Sequence, residues 1–315
     1  MKILIVKTTS MGDVVHAVPV IADIRKHFPE AKIDWLAEDV FADIPRLTKG
    51  VDEVLVCSVR KWKKSLLNSE TRKQISALKS ALRQKKYDLV IDLQGLLKSA
   101  VLASWTHAPV AGYDRSSIKE PLASFFYHSK FSVSRQLSAV ERCRSLAALA
   151  LGYEIPSDAP QFLFQFTEQK SEAPFVVFYC NTSRETKLWP EDYWIELGRI
   201  ISERGYRILL PWGSEAEKSR VERISQGIGS TSCVLPRMSI GELMNKTSGA
   251  KAVVGLDTGM THLSSAMGIP TVGIFRDYPI ELVPLMGEAK KKALGGVGSC
   301  PSIEKVAEAF EEVLS

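Results

Sequence analysis

No stretch of this sequence is apolar for the ~20 consecutive residues that a membrane-spanning helix needs. The first residues, MKILIVKTTSMGD, are apolar only briefly. They hold neither a signal-peptide core of proper length nor a small-residue cleavage site, and they read as a first β-strand. Cysteine is sparse: Cys57, Cys143, Cys180, Cys233 and Cys300 are odd in number, scattered, and never at metal-ligand spacing. That argues against a disulfide framework or a structural zinc site, and for reduced thiols in a cytoplasmic chain. The glycine fingerprint GxGxxG does not follow the first strand, where Gly12 stands alone, so a nicotinamide-dependent dehydrogenase is disfavoured. No usable loop carries DxD. Nothing therefore suggests a metal ion bridging phosphates, and no metal or other cofactor is expected.

What the chain does have is length for two domains: 315 residues, 45% of them apolar and 24% charged, ordinary values for a protein that buries full cores. Its formal charge of +5 is spread unevenly. Residues 60–86 hold ten basic side chains against one acid, Glu70, so the remainder is slightly acidic. Such a concentrated positive field attracts phosphates, anionic lipid or nucleic acid.

Short apolar runs alternate with helical periodicity, twice over. In the first half strands are expected at 3–6, 33–36, 54–57, 89–93 and 110–113, with helices over 14–28 and 75–82. The second half repeats the scheme with strands at 175–180, 207–211, 233–235, 253–256 and 271–275, and helices over 190–204, 215–226, 240–248 and 260–267. Strands apolar on both faces and alternating with helices predict parallel sheets covered on both sides. The fold class is therefore α/β with two Rossmann-like domains, at 1–160 and 170–300. Their seam lies within 152–174, which Pro156, Pro160 and Pro174 punctuate. A last amphipathic helix over 302–314 is expected, in proteins of this type often crossing back onto the first domain.

Open α/β sheets bind ligands beyond the carboxyl ends of their strands, so the loops there carry the chemistry. After the first strand comes Thr8-Thr9-Ser10-Met11-Gly12-Asp13. Asp13 reads either as a helix N-cap or as a general base facing an acceptor hydroxyl. His16 shares its helix face, with a satisfied, partly buried imidazole as the plainer role. After the fourth strand, Asp92 reads as a tie between loops, with Gln94 and Lys98 as weaker candidates for ligand contact. In the second half, Asn181-Thr182-Ser183-Arg184-Glu185-Thr186-Lys187 ends at Trp189-Pro190, where a helix begins. Hydroxyls, backbone donors and a lysine suit a pyrophosphate, although an ordinary solvated loop has a similar composition. Later, Asp257-Thr258-Gly259-Met260-Thr261-His262 spans a strand-to-helix turn whose free N–H groups suit an anion, with Asp257 alternatively a simple cap.

The segments MKILIVKTTSMGDVVHAVP, VIDLQGLLKSA, KEPLASFFY, TKLWPEDYW, ILLPWGSEAE, VLPRMS and VGLDTGMTHLSSAMG together resemble the lipopolysaccharide heptosyltransferases, and among them the type that adds the first heptose to the inner core. The likeness runs from the first strand to about residue 275, beyond which the chain is shorter than the family pattern. It rests on the ordered combination of KTTSMGD, TKLWP and DTGMTH. The resemblance implies a GT-B fold with two domains facing across a cleft, an ADP-heptose donor, a Kdo2-lipid A acceptor, inversion at the anomeric carbon, and no metal. It implies Asp13 as the base, and Lys187 with Thr182 and Ser183 on the phosphates. Thr258 and Gly259 would give backbone donors, Asp257 would meet the sugar, Glu217 the ribose and Met238 the adenine, with His262 supporting the same site. Arg60, Lys61, Lys63, Lys64 and Lys119 would face the carboxylates and phosphates of the acceptor, at the inner face of the inner membrane. At Lys119 the relatives usually carry arginine, so bidentate carboxylate recognition is lost there while the charge is kept. The basic residues at 72–86 read instead as a solvated helix face.

Three other readings stand beside this one. A heptosyltransferase II-like enzyme would take a heptose acceptor, and a sugar-nucleotide epimerase would share the architecture. A non-catalytic protein could use the basic stretch to grip anionic lipid or nucleic acid, but that leaves the strand-end motifs unexplained, so no nucleic-acid partner is expected.

Overall fold

The computed structural model describes residues 1–167 and 173–315. Residues 168–172 lie outside the described residues; they fall in the expected seam and include the expected start of the second domain. The chain forms two compact units, Met1–Gln165 and Phe166–Ser315. The first extends past the expected limit of 160 because the backbone of 163–165 is stitched to the loop at 47–49. Lys49 N–H donates to the Leu163 carbonyl (2.6 Å) and Gln165 N–H to that of Leu47 (2.7 Å).

The first unit holds strands β1 (Lys2–Val6), β2 (Lys32–Glu38), β3 (Glu53–Cys57), β4 (Leu89–Asp92), β5 (Val110–Tyr113) and β6 (Ser129–Phe131). They form one parallel sheet in the order β3-β2-β1-β4-β5-β6. Its connections are α1 (Met11–Ala17), α2 (Pro19–His27), α3 (Asp43–Arg46), α4 (Val59–Trp62), α5 (Ser69–Gln84), α6 (Leu97–Ser104) and α7 (Ala139–Leu151). The single helix expected over 14–28 is two, because Pro19 has no N–H to donate and opens a new first turn. On α5 the buried side chains are Thr71, Leu78 and Leu82, while Arg72, Lys73 and Arg83 are exposed, as a solvated face requires.

The second unit repeats the plan with β7 (Phe175–Tyr179), β8 (Arg207–Leu210), β9 (Ser232–Val234), β10 (Ala252–Leu256), β11 (Thr271–Phe275) and β12 (Lys291–Gly295), ordered β12-β11-β10-β7-β8-β9. Its helices are α8 (Glu191–Glu203), α9 (Glu215–Ile228), α10 (Ile240–Thr247), α11 (Gly259–Ala266) and α12 (Ile303–Leu314). Both sheets thus follow the doubly wound order, with a reversal between β1 and β4 in one and between β7 and β10 in the other.

The C-terminal helix departs from expectation. The apolar stripe of α12, formed by Val306, Ala309, Phe310 and Val313, belongs to the second unit's own core, with Trp194, Leu197, Val254 and Ile274. Phe310 meets Tyr206 edge-on at 6.0 Å, and Arg204 and Lys292 pair with Glu311 and Glu312. The helix therefore completes the unit that precedes it. All five cysteines are free thiols. Among the described residues, no helix is long and apolar enough to cross a membrane. Phe310→Ala should lower the unfolding free energy of the second unit by about 3–5 kcal/mol, as for other large-to-small core changes. Urea titration checks this, and a loss below ~1 kcal/mol would place α12 outside that core.

Candidate active site

At the first reversal the end of β1 lies beside the end of β4, with Val6 opposite Asp92. The loop after β1 is held from the β4 side. Gln94 Oε1 accepts from the backbone N–H groups of Thr8 and Thr9, both at 2.9 Å. Lys7 Nζ donates to the Leu93 carbonyl (2.9 Å), and Lys98 Nζ reaches Thr9 Oγ1. Asp92 is fully buried and accepts from Gln94 N (2.9 Å), Gly95 N (3.3 Å), Ser99 Oγ (2.8 Å) and Tyr127 OH (2.7 Å). Burial nevertheless pushes its carboxyl above the ordinary carboxylate range. Gly95 takes a left-handed φ of +68° to turn this loop, which a β-carbon would strain. Asp92 ties loops together, and Gln94 serves the same frame.

Asp13 is not the N-cap. Ser10 caps α1, and Asp13 in the first turn completes a capping box by accepting from Ser10 N and Ser10 Oγ, both at 2.8 Å on Oδ2. Burial alone would raise its pKa. The Lys7 charge, the two Ser10 bonds and the His16 charge outweigh that and hold the carboxyl below its usual range. Asp13 is thus kept ionised at neutral pH. His16 is buried.

The cationic residues sit at the same carboxyl edge. Fully buried Glu38, at the end of β2, accepts the Arg60 backbone N–H (2.8 Å) and so sets the position of α4. Arg60, Lys61, Lys63 and Lys64 are exposed around that turn, and buried Trp62 anchors it through Gln74 (3.0 Å). The Arg60 guanidinium lies over Phe41, and Lys61 is paired with Asp39. Lys119 is exposed in the loop after β5. Burial lowers the Lys98 pKa; Arg60 and Lys63 add to this, and Glu38 opposes it.

At the second reversal Gly255 of β10 lies opposite Tyr179 of β7. Lys187 Nζ donates to Asp257 Oδ2 (2.5 Å) and to the Asp257 carbonyl (3.2 Å), with Asp277 Oδ1 at 3.7 Å. His262 Nε2 meets the other carboxylate oxygen of Asp257 at 3.1 Å. Burial would raise the Asp257 pKa, but His262 and Lys187 pull it below the ordinary range. Thr258 is the N-cap of α11 and places no side-chain bond on it, so the amides of the first turn, starting at Gly259, receive no such cap. Thr261 packs so close to β10 that a β-carbon at Gly255 would stand 2.2 Å from its hydroxyl, and only glycine fits there.

The remaining expected residues fall on neighbouring loops of the same edge. Thr182 is half-buried and Ser183 exposed after β7. Glu217 follows β8, where its Oε2 accepts from Gly213 N (2.7 Å) and Ser214 N (3.1 Å). Met238 follows β9, half-buried against the cluster of Phe175, Val177 and Leu235. Two residues of the constellation were not singled out from the sequence. Asp277 accepts from Thr186 Oγ1 (2.7 Å) and attracts Arg184 (3.8 Å) besides Lys187. Asn181 is the second, with both amide atoms buried and no partner. Both follow strands directly, so the strand-end rule that singled out Lys187 reaches them too.

Two Rossmann-like units, each with charged side chains at its strand-order reversal, are the architecture of the GT-B fold, which glycosyltransferases and sugar-nucleotide epimerases share. The relatives place this chain among the glycosyltransferases. The chain belongs to glycosyltransferase family 9 (heptosyltransferase), whose family model matches residues 75–309. Lipopolysaccharide heptosyltransferase 1 of Pseudomonas aeruginosa is 41% identical over 279 residues, covering 87% of this chain and 78% of that one. The structure of E. coli heptosyltransferase WaaC with ADP matches with a TM-score of 0.93 at 36% identity, covering 99% of both chains. The same enzyme with ADP-2-deoxy-2-fluoro heptose gives 0.84 at 35% identity, covering 99% and 98%.

Removing the Asp257 charge tests the second constellation. Its depressed folded pKa contributes stability above the unfolded carboxylate pKa, and this is lost as pH falls through the folded value. Asp257→Asn should cost roughly 2 kcal/mol at pH 7, since Lys187 and His262 lose their shared partner. The gap from wild type should begin to narrow below about pH 4 and close only below the lower folded value; a pH-independent gap would mean that the charge contributes nothing.

Proposed function

We propose that this chain transfers heptose from ADP-L-glycero-D-manno-heptose to the Kdo of Kdo2-lipid A, inverting the anomeric carbon and using no metal ion. The observation that carries the reading is the placing of Lys187, between Asp257 and Asp277, beside the uncapped amino end of α11. A cation and free amides together are what a departing diphosphate needs. The relative's name and the ADP and ADP-heptose analogue in the WaaC structures support the donor.

In this reading Lys187, Thr182 and Ser183 hold the phosphates, with the amides of Thr258 and Gly259. Asp257 contacts the sugar and is kept ionised and oriented by His262. Glu217 meets the ribose and Met238 the adenine. Asp13 takes the proton of the acceptor hydroxyl as that oxygen bonds to the anomeric carbon. The bond from that carbon to the diphosphate breaks on the opposite side, and its electron pair leaves on ADP. Because the Asp13 pKa is depressed, the carboxylate is always available but weakly basic. Proton transfer then comes late, once bond formation has made the hydroxyl acidic. Arg60, Lys61, Lys63, Lys64 and Lys119 face the acceptor's carboxylates and phosphates, which brings the enzyme to the cytoplasmic face of the inner membrane.

The direct test incubates ADP-heptose and Kdo2-lipid A with a chelator. A product heavier by one heptose is expected. Transfer only to a heptose-terminated acceptor would replace Kdo as the acceptor, and dependence on added metal would remove the metal-free step. Asp13→Asn keeps an acceptor for Ser10 and should lower kcat by ~10²–10⁴ while ADP affinity stays unchanged. Calorimetry showing ADP binding lost as well would make Asp13 structural. Lys187→Ala should weaken both ADP binding and turnover, and unchanged kinetics would remove it from the mechanism.

A further inference from the structure

We propose that the first unit carries its own bilayer-docking surface, which grips anionic lipid directly and not only through the acceptor. This deepens the reading above by naming a second partner at the acceptor-binding edge. The four most exposed large apolar side chains of that unit lie beside cations. Leu66 and Leu67 stand 56% and 85% exposed in the loop that continues the cationic turn at 60–64. Leu122 and Phe125, at 64% and 69%, lie on the 3-10 helix Pro121–Phe126, just past Lys119. Leu97, also exposed, begins α6 beside them, its N–H held by Glu120 at 2.7 Å. Single exposed apolar residues need no explanation, but two groups of them, one beside a run of cations and one beside Lys119, do.

Topology puts both groups at one end of the sheet. The first follows β3 and the second follows β5, and in a parallel sheet both loops start from the carboxyl edge. β3 and β5 are four strand spacings apart, or about 19 Å, enough to span several lipid headgroups. The β1–α1 loop with Asp13 leaves the same edge between them. Consecutive leucines on a projecting loop are not a groove for a folded partner, and nucleic acid has no use for them. An anionic bilayer takes both components, with cations at the phosphates and side chains among the acyl chains. Two carboxylates reduce the field without cancelling it: Asp39 occupies Lys61, and Glu120 lies beside Lys119, leaving Arg60, Lys63 and Lys64.

Flotation of the full-length protein with acceptor-free vesicles tests this. Phosphatidylethanolamine–phosphatidylglycerol vesicles should bind it, phosphatidylcholine vesicles much less, and salt should weaken the binding without abolishing it. The double variants L66S/L67S and L122S/F125S should each lose about ten-fold in partition, since bound strength follows inserted apolar area. Their melting temperature and their turnover of an acyl-free, water-soluble Kdo acceptor should match wild type. Wild-type protein that ignores anionic vesicles, or double variants that bind like wild type, would overturn the proposal. So would capture of nucleic acid or a second protein through the same leucines in place of lipid. The soluble acceptor separates the two readings. Turnover without vesicle binding sinks the docking surface and leaves the transfer reaction, whereas vesicle binding without any heptose transfer does the reverse.

Discussion

A parallel sheet wound outward from its middle has to part its connections where the winding reverses. The strands on either side of that point are neighbours, yet the segments leaving them pass to opposite faces, so the edge between them is left uncovered by helices. In this chain the constraint operates twice. Val6 and Asp92 flank one opening, and Gly255 and Tyr179 flank the other. Every ionisable group that carries the proposed chemistry leaves one of the two carboxyl edges: Asp13 from β1, Lys187 from β7 and Asp257 from β10.

The two openings are stabilised by different means. In the first, Asp92 is removed from water and surrounded by donors, and the backbone of the neighbouring loop is fixed by the Gln94 carbonyl. A satisfied buried network of this kind holds geometry without exposing its own charge to a ligand. The second opening depends on a carboxylate held at both oxygens, by the Lys187 ammonium and the His262 ring on Asp257. Asp257 and His262 are buried and Lys187 is half-buried, so the ammonium is the charge that this opening presents.

Most of the strands were legible because they are apolar on both faces, and ten of the twelve among the described residues lie where the apolar runs do. The two missed, β6 and β12, are sheet edges: Ser-Lys-Phe and Lys-Lys-Ala-Leu-Gly carry the lysines that edge strands use against aggregation, and lysine hides the pattern. Helix α7 lies outside the expected helices, and its sequence signal is a capping box of Ser138 and Glu141, bonded at 3.2 Å and 2.8 Å. Motif position was legible for Lys187 and Asp257, but their contact was not, since 70 residues separate them and only the pairing of β7 with β10 joins them. The unit to which α12 belongs was illegible for a similar reason. An amphipathic stripe states that a helix must be covered, and says nothing about which core covers it.

The short bond between Lys187 and Asp257 bears on how the enzyme lets go. A lysine standing free at this opening would close on a nucleoside diphosphate with its full charge and hold it after the sugar had left. Here the ammonium already has a carboxylate, so in the proposed mechanism ADP shares the lysine with Asp257 and on departure returns it. Under the proposed mechanism the diphosphate gains charge as the bond breaks and carries most of it as free ADP, so Asp257 is what offsets the hold of Lys187 on the product. In that mechanism one carboxylate both sets the place of the ammonium and tempers its grip on what leaves.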